Sequence, residues 1–231
     1  MTAPSTAVLT IDGPVSSGKG TVARLVAIRL GWHLLDSGAL YRVLGYHAKN
    51  QGLALDDEPA LVELAKTLPV RFIEQEGETA VILDGEDVSN IIRQESVGEL
   101  ASQVAVLQPV RDALLARQRV FAEPPGLVAD GRDMGTVVFP DATLKVFLTA
   151  TLKIRAQRRY KQLLEKGFSA TLAGVENEVS ARDQKDSTRA VSPLVPANDA
   201  VVLDTTEIGI DQVVKKVDDL LTARLAQGGN G

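Results

Sequence analysis

The string Gly13-Pro14-Val15-Ser16-Ser17-Gly18-Lys19-Gly20-Thr21 places a glycine, four residues, and then Gly-Lys close to the N-terminus. That spacing suits an anion with several oxygens. Successive backbone N–H groups can converge on a phosphate, the glycines let the backbone come close, and Lys19 adds a positive charge. Thr21 can contribute a hydroxyl. The bland alternative is a glycine-rich strand-to-helix turn with a solvated lysine, but the flanking pattern meets the stricter test of a strand before and a helix after. The overlapping string Gly18-x-Gly20-x-x-Ala23, with Asp36 downstream, also fits a dinucleotide fingerprint. That fingerprint starts directly after its strand, whereas five residues separate Asp12 from Gly18 here, so the wide loop favours a phosphate cradle over an oxidoreductase.

The residue after Lys19 is Gly20, where the commoner phosphate loop carries a Ser or Thr that holds Mg2+. The metal duty must therefore fall elsewhere. Asp130, at the end of the apolar run Leu127-Val128-Ala129, is the candidate, acting through water because Mg2+ dehydrates reluctantly. An Asx turn is its plainer role.

The elements that must carry these residues follow from periodicity. Residues 7–12 read as a strand ending in Gly13-Pro14, and Val22, Leu25, Val26 and Leu30 then line one helix face until Gly31. A second strand at 32–35 leads to Asp36-Ser37, placed to cap a helix over 39–49. Strand and helix alternate again around 126–129, 144–148 and 200–203, which predicts an α/β fold with a parallel sheet. Between them, after a helix over 59–68, the segments 70–73, 79–83 and 87–88 are separated by Gly77 and Asp84-Gly85, which are hairpin signals. This places an antiparallel insert at 65–103, with the core at 1–64 and 104–231. A frayed tail is expected over 227–231.

Composition narrows the partners. The chain has 231 residues, 45% hydrophobic, enough to fill a sizeable interior. A net charge of −5 disfavours a general nucleic-acid coat, which needs a basic surface. There are 0 cysteines, so disulfides and thiolate metal sites are excluded and a reducing compartment is compatible. The apolar runs fall far short of the roughly 20 residues that span a bilayer, and no signal pattern opens the chain. A soluble, cytoplasmic protein is the expectation. An Asn-Lys-x-Asp guanine-reading motif, usual in GTP switches, is absent.

With Gly18-Lys19-Gly20-Thr21 in place, three further strings narrow the resemblance. They are residues 35–42 (LDSGALYR), residues 129–142 (ADGRDMGTVVFPDA), and Arg182-Asp183 through Asp186-Ser187-Thr188-Arg189. Together they resemble the bacterial cytidylate kinases, within the nucleoside monophosphate kinases, across nearly the whole chain. The resemblance implies a P-loop core with a five-stranded parallel sheet, a three-stranded insert beside the monophosphate site and a short lid, here about 155–190. It implies ATP as phosphoryl donor, CMP or dCMP as acceptor, Mg2+, and a monomer. Ser37, Arg111, Asp133, Asp186 and Arg189 would then recognise the pyrimidine nucleotide, and Arg42, Arg132 and Arg182 its phosphate. Lys19, Arg132, Arg182 and Arg158 would be catalytic, Arg158 reaching the transferring phosphate from the lid.

The chemistry is compatible. Asp133 and Asp186 can accept from the exocyclic amine of cytosine, which uracil lacks, and arginine forks onto phosphate. Each residue also has a duller reading: a helix cap for Asp36 or Ser37, a solvated charged face for Arg111 with Arg117 and Arg119, or for Arg158, and surface ion pairs for 182–189. Val15-Ser16-Ser17 departs from the Ser-Gly-Ala type residues common in relatives, which leaves the affinity for ATP more open than the fold.

Overall fold

The computed structural model describes residues 6–75, 78–165, 167–189 and 191–228. The turn expected at Gly77 and positions 229–231 of the expected tail lie outside these residues. The chain folds as two compact units, one running to Leu35 and resuming at Ala122, the other Asp36–Phe121.

In the first unit the strands are β1 (Val8–Asp12), β2 (His33–Asp36), β6 (Leu127–Gly131), β7 (Leu144–Thr149) and β8 (Val201–Asp204), ordered β2-β6-β1-β7-β8 in one sheet. β1 pairs in parallel with both β6 and β7, so Asp12 lies beside Gly131 and Phe147. The carboxyl ends of β1 and β6 are thus neighbours, and the chain leaving each of them emerges at the same edge. That is where open parallel sheets bind ligands. Strand β1 is buried throughout, as a strand covered on both faces should be. Leu9, Ile11, Val128, Val146 and Leu148 pack with Val22 and Val26 of α1 (Lys19–Leu30) and with Val213, Val217 and Leu221 of α8 (Ile210–Gly228). Helix α8 runs through Gly228, past the point where a tail was expected to begin at Gln227. Its buried stripe lies far upstream, and the terminal turns continue into solvent.

Two more helices of this unit, α6 (Leu152–Glu165) and α7 (Leu172–Ser187), form a hairpin with its own small core of Ala156, Val175 and Val179. They occupy most of the segment 155–190.

The second unit contains α2 (Ser37–Asn50), α3 (Glu58–Thr67), the antiparallel sheet β3 (Val70–Gln75), β4 (Glu78–Leu83) and β5 (Glu86–Asp87), then α4 (Glu95–Val104) and α5 (Gln108–Val120). The expected Asp84-Gly85 turn is present. Both residues have positive φ, 51° and 87°, the twist that suits a tight hairpin. The segment 65–103 is more than a meander, because it also holds all but the last residue of α4, whose Val97 and Ala101 face the core shared with Leu44, Leu61 and Leu114.

Candidate active site

The phosphate-loop string sits between β1 and α1, as its spacing predicts, and Lys19 opens the helix. Residues 15–22 line a cavity of about 570 Å3 together with Arg158, Arg159, Gln162, Thr205, Ile208, Gly209, Ile210 and Val213. The volume lies in the roughly 300–1,000 Å3 range of small-molecule sites. Ser16 adopts φ 60°, a left-handed conformation in which any residue but glycine pays about 1 kcal/mol. The departure of Val15-Ser16-Ser17 from the Ser-Gly-Ala type therefore carries a backbone cost at its middle residue.

Lys19 Nζ lies 3.9 Å from Asp130 Oδ1, with the two side chains 13% and 10% exposed. A Cβ on Gly20 would meet Asp130 Oδ2 at 3.0 Å, so the carboxylate of Asp130 approaches the position a hydroxyl side chain takes in the commoner loop. An oxygen donor at that point fits a hard cation that keeps its waters. Among the described residues no group of three or more His, Cys, Asp or Glu could hold a metal.

Asp12 escaped the sequence reading. It ends β1, is 5% exposed, and accepts hydrogen bonds from Met134 N–H at 2.9 Å and Gly135 N–H at 2.8 Å. These amides open the π-helical turn Met134–Val138 that follows Arg132-Asp133. Burial, opposed by those two amides and with Asp133 adding to it, raises the Asp12 carboxyl from 3.8 to about 6. The native state then binds more protons than the unfolded chain between about pH 4 and 6. The contribution of Asp12 to stability is therefore greatest below about pH 4 and declines by on the order of 3 kcal/mol as pH rises to about 6. A carbon NMR titration of this carboxyl is expected to show a midpoint near 6; an ordinary midpoint near 4 would show that burial costs it little.

The charged string near the end of α7 gathers around one carboxylate. Arg132 Nε donates to Asp186 Oδ2 at 2.8 Å, with side chains 17% and 13% exposed. Arg189 Nε donates to the Asp186 carbonyl at 3.4 Å. Burial pushes the Asp186 carboxyl up, but the guanidiniums of Arg132, Arg189 and Arg182 together hold it below the usual carboxylate range. Arg132 and Asp186 are thus a largely enclosed pair, unlike the surface pairs that this spacing also allowed. Asp133 is 4% exposed.

Two arginines of α6 reach the phosphate loop. Arg158 donates to Ser17 O at 3.3 Å, to Thr205 Oγ1 at 3.0 Å and to Thr205 O at 2.5 Å, and burial lowers its guanidinium from the ordinary value. A solvated face does not describe it. Arg155 donates to Val15 O at 3.1 Å and to Ala150 O at 3.0 Å, and forks onto Asp183 of α7. The one hydroxyl proton of Thr205 has Thr149 O at 3.0 Å and Ser17 O at 3.3 Å within reach of Oγ1, at the meeting of β7, β8 and the loop.

In the second unit Asp36 caps α2 by accepting from Ala39 N–H at 2.9 Å. Ser37 is left to donate to Gln118 Oε1 at 2.9 Å. Arg42 Nη1 donates to Ile92 O at 2.7 Å and Gln94 O at 3.2 Å. Arg111, which charge patterning alone would place in solvent with Arg117 and Arg119, is 7% exposed. Its guanidinium lies 5.6 Å from the Tyr41 ring centroid and donates to Ala105 O at 3.1 Å.

Comparison with known proteins identifies the family. The family model described as cytidylate kinase matches residues 9–223. The chain is 58% identical over 219 residues to the cytidylate kinase of Azotobacter vinelandii, covering 94% of this chain and 96% of the relative. It is equally close, with the same coverage, to that of Pseudomonas putida, and 55% identical over 214 residues to that of Colwellia psychrerythraea. A gluconokinase crystal structure from Sinorhizobium meliloti shares the fold, with a TM-score of 0.50, 15% identity, and 98% and 97% of the two chains covered. The family match over most of the length and the identity to three curated relatives establish one conclusion: the chain belongs to the cytidylate kinase family.

Proposed function

We propose that the protein transfers the γ-phosphoryl group of ATP to CMP or dCMP, giving ADP and CDP or dCDP. The observation that carries this reading is the 570 Å3 cavity floored by residues 15–22 and opened by Lys19, in a chain of this family. The string Gly13, Pro14, Val15, Ser16, Ser17, Gly18, Lys19, Gly20 and Thr21 holds the triphosphate, and Ile208–Val213 with Arg158 lie where the rest of the donor can rest. An oxygen of the CMP α-phosphate attacks the γ-phosphorus in line. The bond from that phosphorus to the oxygen bridging to the β-phosphate breaks, and ADP leaves with the electron pair. The acceptor oxygen is already ionised near neutral pH, so no protein nucleophile is needed.

Catalysis is then positioning and charge stabilisation. Lys19, Arg132, Arg182 and Arg158 supply fixed positive charge as negative charge spreads over the transferring group. Asp130 would hold Mg2+ through water, and the ion would supply positive charge to the phosphates. Asp133, Asp186, Arg189, Ser37 and Arg111 recognise the pyrimidine nucleotide. Arg42, with Arg132 and Arg182, binds its phosphate. In this reading 65–103 is the monophosphate-binding insert of a core formed by 1–64 and 104–231, and about 155–190 is a lid that excludes water. No described helix is long and apolar enough to cross a membrane. We take the protein to be a cytoplasmic monomer, and the net charge of −5 supports the lack of a nucleic-acid partner; sedimentation checks the monomer.

A coupled assay of ADP release with CMP, dCMP, UMP and AMP tests the reading. ADP release should depend on CMP or dCMP and be at least about 100-fold weaker with UMP or AMP. Release that needs no acceptor would instead indicate a slow hydrolytic switch, and a preference for UMP or AMP would overturn the cytosine reading.

A further inference from the structure

Ser37 and Gln118 are buried polar side chains, 3% and 2% exposed, on different helices of the unit Asp36–Phe121. The Ser37 hydroxyl donates to Gln118 Oε1 at 2.9 Å. The usual duty of a serine at this point, capping the helix, is already performed by Asp36 through Ala39 N–H. Gln118 shares the buried face of α5 with Val110, Arg111 and Leu114, where an aliphatic side chain would avoid the cost of desolvating an amide. A glutamine on that face therefore calls for a polar reason.

The hydroxyl supplies one. A serine has one proton to give and two lone pairs to receive with. Gln118 Oε1 takes the proton, so toward any other partner Ser37 Oγ can only accept. The two pyrimidine nucleotides differ at their exocyclic group: cytosine presents an amine donor, and uracil a carbonyl acceptor as thymine does. An oxygen confined to accepting is matched to the first and mismatched to the second. A hydroxyl free to turn would serve both.

We propose that Gln118 is a specificity-determining positioning residue, which holds the proton of Ser37 so that Ser37 shows lone pairs to the base and favours cytidylate over uridylate. The inference rests on the reading of Ser37 as a contact to cytosine.

The experiment measures kcat/KM for CMP and for UMP, with ATP, in the full-length wild-type protein and in Ser37→Ala, Gln118→Met and Gln118→Glu, with melting temperatures for each. Gln118→Met keeps the length and removes the acceptor. Ser37 can then turn its proton toward a uracil carbonyl, so activity with UMP should rise while that with CMP falls, lowering the CMP-to-UMP ratio by about 10-fold or more. A gain with UMP cannot come from a damaged fold. Gln118→Glu keeps an acceptor oxygen and should hold the ratio within about 3-fold of wild type. If Gln118→Met folds poorly, Gln118→Leu gives the same readout. Ser37→Ala separates the two layers of the inference. A lowered ratio in Ser37→Ala with an unchanged ratio in Gln118→Met overturns the role of Gln118 alone. An unchanged ratio in Ser37→Ala overturns the cytosine contact and the inference with it. Equal losses on both substrates in Gln118→Met, or a collapsed ratio in a well-folded Gln118→Glu, also overturn it.

Discussion

Replacing Lys19 by Met is expected to leave the fold in place and to lower kcat by at least about 100-fold. The two side chains have similar length and helix propensity, so α1 should still begin at this position. What disappears is the ammonium group, whose side chain is only 13% exposed and which lies 3.9 Å from Asp130. In a partly enclosed site that charge faces little screening by water, so it is worth more to a transferring phosphoryl group than it would be on the surface. Its loss also leaves Asp130 without this nearby cation, and a modest drop in melting temperature should accompany the loss of turnover. Circular dichroism with the ADP-release assay separates the two effects. Near-normal turnover in a folded Lys19→Met protein would remove the phosphate loop from the chemistry.

Gly13→Ala should act through the backbone. Gly13 has φ 154°, and a Cβ there would stand 2.2 Å from the carbonyl oxygen of Leu148 in β7. The obstructing atom belongs to the central sheet rather than to a flexible side chain, so the clash is relieved only by moving the start of the loop or the strand. A destabilisation of roughly 3 kcal/mol or more is expected, read as a lowered urea midpoint. ATP affinity should fall as well, because the loop amides that follow Gly13 are displaced. A variant with wild-type midpoint and affinity would show that the loop tolerates a different entry path.

How much of this was legible without coordinates depended on whether the signal was local. The strand-loop-helix at residues 8–30 and the hairpin at Asp84-Gly85 announce themselves through apolar periodicity and turn chemistry, and both are present. The parallel sheet followed from strand–helix alternation. Helix α5 shows the limit of such patterns. Arg111, beside Arg117 and Arg119, looks like a member of a charged, solvated face, yet it shares one buried side with Val110, Leu114 and Gln118. Periodicity assigns a residue to a face; it does not say whether a polar residue on the inner face has found a partner. Arg155 and Thr205 were equally hidden as ligands of the loop, because their partners Val15 and Ser17 lie 140 and 188 residues away. Asp12 was read only as the end of a strand. Its work, holding the two amides after Arg132-Asp133, depends on β1 and β6 being neighbours, which alternation alone does not specify.

The metal role proposed for Asp130 illustrates the opposite case. A missing hydroxyl is visible in the sequence, and the structure puts a carboxylate oxygen 3.0 Å from where the Cβ of such a residue would stand. Ser37 is intermediate. Its neighbour Asp36 takes the cap, which leaves the Ser37 hydroxyl for another partner.

The most direct measurement of the central claim follows the label from ATP carrying a marked γ-phosphoryl group, incubated with CMP and the protein and resolved by chromatography. Phosphoryl transfer predicts the label in the terminal phosphate of CDP, formed in step with ADP, with none retained on the denatured protein. Label released as inorganic phosphate at the same rate with and without CMP would contradict it.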